Sequence, residues 1–94
     1  MSDYYNRAGE KIGFDGYVKE FSKDRTVALT KVGEAEVSTV FLVIDHGFGR
    51  GEPVLFESMI FGGPRDQEGW RYHTEAEALS GHNALVAELQ AATS

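Results

Sequence analysis

The 94-residue sequence contains no cysteine. Disulfide frameworks, thiolate nucleophiles, zinc fingers and iron–sulfur clusters are thereby excluded, and the composition suits a reducing compartment. No apolar run approaches the about 20 residues that a membrane-spanning helix needs. The opening, MSDYYNRAGEKIGF, is polar and lacks the apolar stretch of a secretory signal. These absences predict a soluble, cytoplasmic protein with no membrane partner. Positive charge is also scarce: nine Lys and Arg stand against fifteen Asp and Glu, a formal charge of −6. Nonspecific nucleic-acid binding rests on neutralising phosphates, so it is not expected. An acidic surface serves solubility or meets a basic protein partner. A chain this short buries roughly 60–65% of the surface its unfolded form exposes. A shallow groove or a subunit interface therefore suits it better than a deep, enclosed site.

What is present reads as one small domain in three parts. Residues 1–25 form an N-terminal arm punctuated by Gly9, Gly13 and Gly16, with Tyr4, Tyr5, Ile12, Phe14 and Tyr17 available to pin it to the body. Within it, Val18 to Phe21 is open between a helical turn and a short strand. Residues 26–73 read as a β-meander. Thr26–Val32 alternates, Gly33-Glu34 suits a two-residue hairpin loop, and Val37–Ile44 is rich in β-branched residues and apolar on both faces. Val54–Phe61 and Trp70–His73 complete the strands. Residues 74–91 form the helix. Thr74-Glu75-Ala76-Glu77 matches a capping box, and Ala78, His82, Leu85, Val86 and Leu89 recur on one face. The expected fold is α+β: an antiparallel meander of three to four strands with a C-terminal amphipathic helix packed on one face. The other face of Val37–Ile44 then needs cover, from the arm or from a partner chain.

The stretch Asp45-His46-Gly47-Phe48-Gly49-Arg50-Gly51-Glu52-Pro53 has the glycines of a phosphate cradle but not its context. Such cradles lead from a strand into a helix, whose N-terminal amides face the anion. This loop joins strand to strand and lacks a following Lys-Ser/Thr. It reads as a long hairpin connection presenting His46, Phe48 and Arg50. His46, His73 and His82 have no metal-binding spacing. His82 reads as a core histidine with one hydrogen bond, and His73 as a surface residue. Glu57, in an otherwise apolar strand, is a candidate buried base, but pairing with Arg71 or Arg50 is favoured. Ser58 lacks a nucleophile-elbow setting. Trp70, Arg71 and Tyr72, with Phe56 and Phe61, are residue types of binding hot spots, and equally of cross-strand packing.

Val37–His82 (VSTVFLVIDHGFGRGEPVLFESMIFGGPRDQEGWRYHTEAEALSGH) resembles a family of small uncharacterised proteins of bacteriophages and prophages, especially actinobacterial ones. Its members combine a strand ending in LDH, a glycine-rich turn, LFETM(V/I)FGG, WRY-T and an EA–GH helix start. Tyr4-Tyr5-Asn6-Arg7 is similar to the family's YYDR opening. Ile44, Ser58 and Glu52 depart from the usual residues. The resemblance implies a phage accessory protein and brings no activity or catalytic residues. The functional expectation is a non-catalytic protein, without cofactor, that binds a host protein and forms a homodimer. The binding residues expected are His46, Phe48, Arg50, Glu57, Trp70, Arg71 and Tyr72. One alternative is a nucleotide or signalling molecule held between Gly47–Gly51 and Trp70–Tyr72. A weaker one is a metal-dependent hydrolase using His46 and Glu57.

Overall fold

The computed structural model describes residues 3–47 and 51–93. In chain order its elements are β1 (Tyr4–Tyr5), β2 (Lys11–Ile12), α1 (Phe14–Ser22), β3 (Thr26–Val32), β4 (Ala35–Phe41), β5 (Phe56–Phe61), β6 (Gly69–Tyr72) and α2 (Glu75–Thr93). Strands β3 to β6 form an antiparallel meander in sequence order. The long helix α2 packs on one face of it. The α+β architecture expected from the sequence is therefore the one observed. Strands β1 and β2 make a separate two-stranded ribbon, and α1 contacts only that ribbon among the elements. The N-terminal arm is thus a β-hairpin and a helix, not a loop.

Local rules explain most of the meander. Val32 pairs with Ala35 across the two-residue loop Gly33-Glu34. Gly33 has φ +59°, the left-handed first position that a type II′ hairpin turn demands. The register then sorts side chains by parity. Val32, Ala35, Val37, Thr39, Phe41, Phe56, Ser58 and Ile60 face α2 and are buried. A bulge between Thr26 and Ala28 turns Val27 to the core beside Phe41 and Phe56.

Helix α2 starts as its sequence dictates. The Glu77 amide donates to Thr74 Oγ1 (3.1 Å), and Glu77 Oε1 accepts from the Thr74 and His73 amides (3.3 and 3.0 Å). Ala78, His82, Leu85 and Leu89 are buried against the sheet, and each large apolar side chain so buried contributes about 1.5–3 kcal/mol. Gly81 lacks a side chain where the Tyr72 ring lies against the helix. A Cβ there would overlap the ring.

The strand expected over Val37–Ile44 stops at Phe41, and it is not apolar on both sides. Its outward residues are Glu36, Ser38 and Val40, all half-buried. The reason is Val43, fully buried at φ +68°. A β-branched residue in this region costs about 1–3 kcal/mol and turns the chain sharply. Beyond the turn the chain keeps a bond from the His46 amide to the Val54 carbonyl, before β5, and takes new neighbours on its other side. The Tyr5 amide donates to the Val43 carbonyl (2.8 Å), the Asp45 amide donates to the Asp3 carbonyl (3.1 Å), and Tyr4 bridges Ile44. The arm therefore extends the strand sideways instead of lying over the sheet. It buries Val43 and Leu55 in one cluster with Tyr5 and Tyr17.

Candidate functional site

The glycine loop is closed by its own aspartate. Asp45 is buried, and its Oδ1 accepts from the amides of Gly47 (2.7 Å) and Val54 (2.9 Å). The His46 amide donates to the Val54 carbonyl (2.9 Å). A carboxylate thus occupies the amide that a phosphate would seek and sets a negative charge at the loop's base. His46 is half-buried beside this staple. Phe48 and Arg50 lie outside the described residues.

The expected aromatic and arginine set is divided by the sheet. Trp70 and Tyr72 lie on the α2 side, where Trp70 packs beside Leu85 and Leu89, and Tyr72 beside Ala78. Arg71 points to the opposite face. There its Nε donates to Glu57 Oε2 (3.1 Å), its direct cross-strand neighbour. Of the two cations expected for Glu57, Arg71 is the one that pairs with it. These residues do not converge on one site. The Arg65 guanidinium, not Arg71, stands over the Trp70 ring at 5.6 Å. His73 is exposed, and its Nδ1–H donates to the Pro53 carbonyl (3.1 Å). Among the described residues no group of three or more His, Asp or Glu is placed to hold a metal.

A histidine–hydroxyl chain crosses the core instead. His82 makes two hydrogen bonds, not one: Nδ1 to Thr39 Oγ1 (2.7 Å) and Nε2 to Thr30 Oγ1 (2.8 Å). Thr39 Oγ1 also meets Ser58 Oγ (2.5 Å). Counting hydrogens assigns the direction. Ser58 donates to Thr39, Thr39 donates to Nδ1, and Nε2–H donates to Thr30. The reverse direction would leave the buried Ser58 hydroxyl hydrogen without an acceptor among these partners. Burial holds the imidazole below the ordinary histidine value, because desolvation disfavours its charged form. Serine, threonine and histidine in series suggest nucleophilic chemistry. However, Ser58 and Thr39 are fully buried and His82 is 2% exposed. No substrate reaches them, and the chain ties α2 to β3, β4 and β5.

The accessible features lie elsewhere. Helix α1 contains no buried residue. Gly16, Tyr17 and Glu20 face the ribbon and are partly covered, whereas Phe14, Val18 and Phe21 are 65%, 50% and 43% exposed. At 100° per residue these three share one stripe, about a third of a turn from the covered side. The ridge is braced from within. Tyr17 stacks on Tyr4 (centroids 4.4 Å apart) and contacts Phe14 and Phe21. The Arg25 guanidinium covers one face of Phe21 at 4.0 Å. Glu20 is occupied by Lys23 (2.6 Å). The Asp24 carboxyl accepts the Thr26 amide, and that backbone hydrogen bond holds it below its ordinary value. The spacing 14, 17, 18, 21 was present in the sequence. Gly13 and Gly16, together with the shortness of the segment, concealed it.

The second accessible feature is the sheet face away from α2. It carries Leu29, Lys31, Glu36, Ser38, Val40, Glu57, Met59, Phe61 and Arg71, of which Leu29 and Phe61 are 58% and 42% exposed. Charge is distributed unevenly along the chain. Residues 1–33 hold six of the nine basic and five of the fifteen acidic residues, a balance of +1, and the remainder carries −7. The ridge and β3 therefore belong to the part of the chain that is not acidic. An apolar cleft of about 370 Å³ opens between the Gly33-Glu34 turn, Pro64 and Leu89. Its one cation, Arg65, is already engaged by Glu68 and Glu88 (both 3.0 Å). No described helix is long and apolar enough to cross a membrane. Comparison of the chain with protein-family models, curated proteins and solved structures found no match.

Proposed function

We propose that this protein acts by binding and not by catalysis, and that it offers the α1 ridge to a partner protein. The observation that carries the reading is a helix with no buried residue whose Phe14, Val18 and Phe21 stand in solvent at i, i+4 and i+7. That spacing is how an amphipathic helix anchors in an apolar groove. A nine-residue helix is too short to persist without tertiary support, so the Tyr4–Tyr17 brace serves to present the ridge in its binding form. Lys19 and Arg25 flank the anchors, which suits a groove with an acidic rim.

The resemblance to phage and prophage proteins supplies the setting: an accessory protein working as a homodimer in the bacterial cytoplasm, with a host protein as partner. Of the alternatives, nucleotide binding gains little support, because Asp45 engages the Gly47 amide and the Trp70 and Tyr72 rings pack under α2. Metal-dependent hydrolysis gains none from Glu57, which is paired with Arg71.

The test is paired capture from a lysate of an actinobacterial host, using wild type and Val18→Glu, followed by reconstitution with the purified candidate. The expected result is one host protein retained by wild type and bound at least about 30-fold more weakly by the variant, as for a hot-spot position. Identical capture by both, or none by either, would sink the reading.

A further inference from the structure

The open sheet face differs from the rest of this acidic chain. Its ionisable residues are Lys31, Glu36, Glu57 and Arg71, two of each sign. Glu57 and Arg71 are ion-paired, and Lys31 lies opposite Glu36 in the register. The face is neutral, although the molecule carries −6. Two copies repel each other wherever their acidic surfaces meet, but not here.

The side-chain relief of this face is also its own complement. The register places Leu29, Ser38, Met59 and Gly69 in one row across β3, β4, β5 and β6. The row alternates large, small, large, small. Rotation by half a turn about an axis along the strands, between β4 and β5, reverses the order of the strands. Leu29 then stands over the Gly69 of a second copy, and Met59 over its Ser38. Each large side chain meets a small one, as interdigitating sheets require, with the Met59 methyl, 3.5 Å from a Cβ placed on Gly69, as the near wall of the slot that receives Leu29. Size fits as well. Four strands roughly 4.8 Å apart, rising roughly 3.3 Å per residue, give a flat footprint on the order of 400 Å². The relief of Leu29, Met59 and Phe61 raises this toward the roughly 600–800 Å² per partner of smaller specific interfaces.

We infer that a second copy of this chain covers the open face, sheet against sheet, with Leu29 of each protomer seated over Gly69 of the other. This rests on the proposed function and gives its homodimer a surface and a register.

The test uses the absence of native cysteine. Leu29 and Gly69 lie on opposite edges of one sheet, three strand spacings or roughly 14 Å apart, well beyond the about 7 Å that a disulfide spans between Cα atoms. A double variant, Leu29→Cys with Gly69→Cys, can form a disulfide only between copies. Position 69 tolerates the change, since a Cβ there meets nothing closer than 3.5 Å. The expected results are sedimentation of wild type at twice 10.4 kDa, an oxidised dimer of the double variant on a non-reducing gel, and no such band from either single variant. Met59→Lys, on the half-buried outer face, should sediment at half the wild-type mass with an unchanged circular dichroism spectrum. A monomeric wild type at the highest soluble concentration overturns the inference. So does a dimer that survives Met59→Lys. Val18→Glu separates this inference from the binding reading. It should leave the dimer mass unchanged while abolishing partner capture. If it dissociates the dimer instead, the ridge is the self-association surface and both readings fall.

Discussion

Replacing His82 by leucine removes the centre of a hydrogen-bonded chain and leaves a group of similar bulk. In the native arrangement Thr39 donates to Nδ1 while accepting from Ser58. Without the imidazole, Thr39 can only turn its hydrogen to Ser58, which then has no acceptor. One hydroxyl hydrogen stays buried and unpaired, at a cost of about 1–3 kcal/mol. Thr30 is only half-buried and regains water. The expected loss at pH 7.5 is therefore about 1–3 kcal/mol, offset in part by the added apolar burial. The pH dependence has a definite sign. The folded-state pKa of His82 lies below the unfolded value because burial disfavours the imidazolium. Its contribution to stability is fully present above the unfolded value of about 6.5 and is lost as pH falls toward the folded value. One proton sets the limit at about 1.4 kcal/mol per pH unit. Urea unfolding of wild type and His82→Leu at pH 5.5 and 7.5, followed by fluorescence of the single tryptophan, Trp70, reads this directly. Wild type should lose stability between the two pH values by more than the variant does. Equal pH slopes in the two proteins would refute the assignment of a neutral, desolvated His82.

Two further changes probe backbone features. Gly62 has φ +83°, and a Cβ there would overlap the Glu34 carbonyl oxygen. Gly62→Ala should cost more than the about 1 kcal/mol of strain alone and lower the melting temperature by several degrees. An unchanged melting temperature would mean that the β3–β4 turn yields freely. Asp45→Ala frees the amides of Gly47 and Val54. Hydrogen exchange at Val54 should accelerate at least about tenfold, as expected for loss of a charge-assisted bond. Unaltered protection there would remove Asp45 from its role as the loop's staple.

Legibility in the sequence followed the range of the determining interactions. The Thr74–Glu77 box, the Gly33-Glu34 hairpin and the buried face of α2 depend on residues within a few positions, and each lies where the sequence places it. The helix end moved only from Ala91 to Thr93, a difference within the fraying of any terminus. Val43 was opaque because nothing local asks a valine to take a left-handed conformation. The docking of Tyr4 and Tyr5 beside Val43 and Ile44 imposes it from some forty residues away. The division of Trp70, Arg71 and Tyr72 between two faces follows from a local rule. Alternation along a strand places Arg71 away from both rings. The Ser58–Thr39–His82–Thr30 chain joins three strands and a helix, so no spacing announces it. The α1 ridge was the one feature written plainly in spacing and hidden by its glycines.

The sideways attachment of the arm has a consequence for how the chain assembles during synthesis. Residues 3–22 leave the ribosome before the meander and α2, but their anchors come late. The Asp3 and Tyr5 backbones wait for Val43 and Asp45, and the Arg7 guanidinium waits for Glu75, with which it forms a two-pronged ion pair (2.9 and 3.1 Å). The meander has no such delay, because each strand pairs with the one before it. The sheet can therefore close while the arm is still searching, and the arm docks onto a finished edge. Reversing that last step releases the ribbon and α1 together and leaves the four-stranded ladder intact. The element that carries the exposed aromatic ridge would thus be released as one unit with the ribbon, at the cost of uncovering Val43 and Leu55.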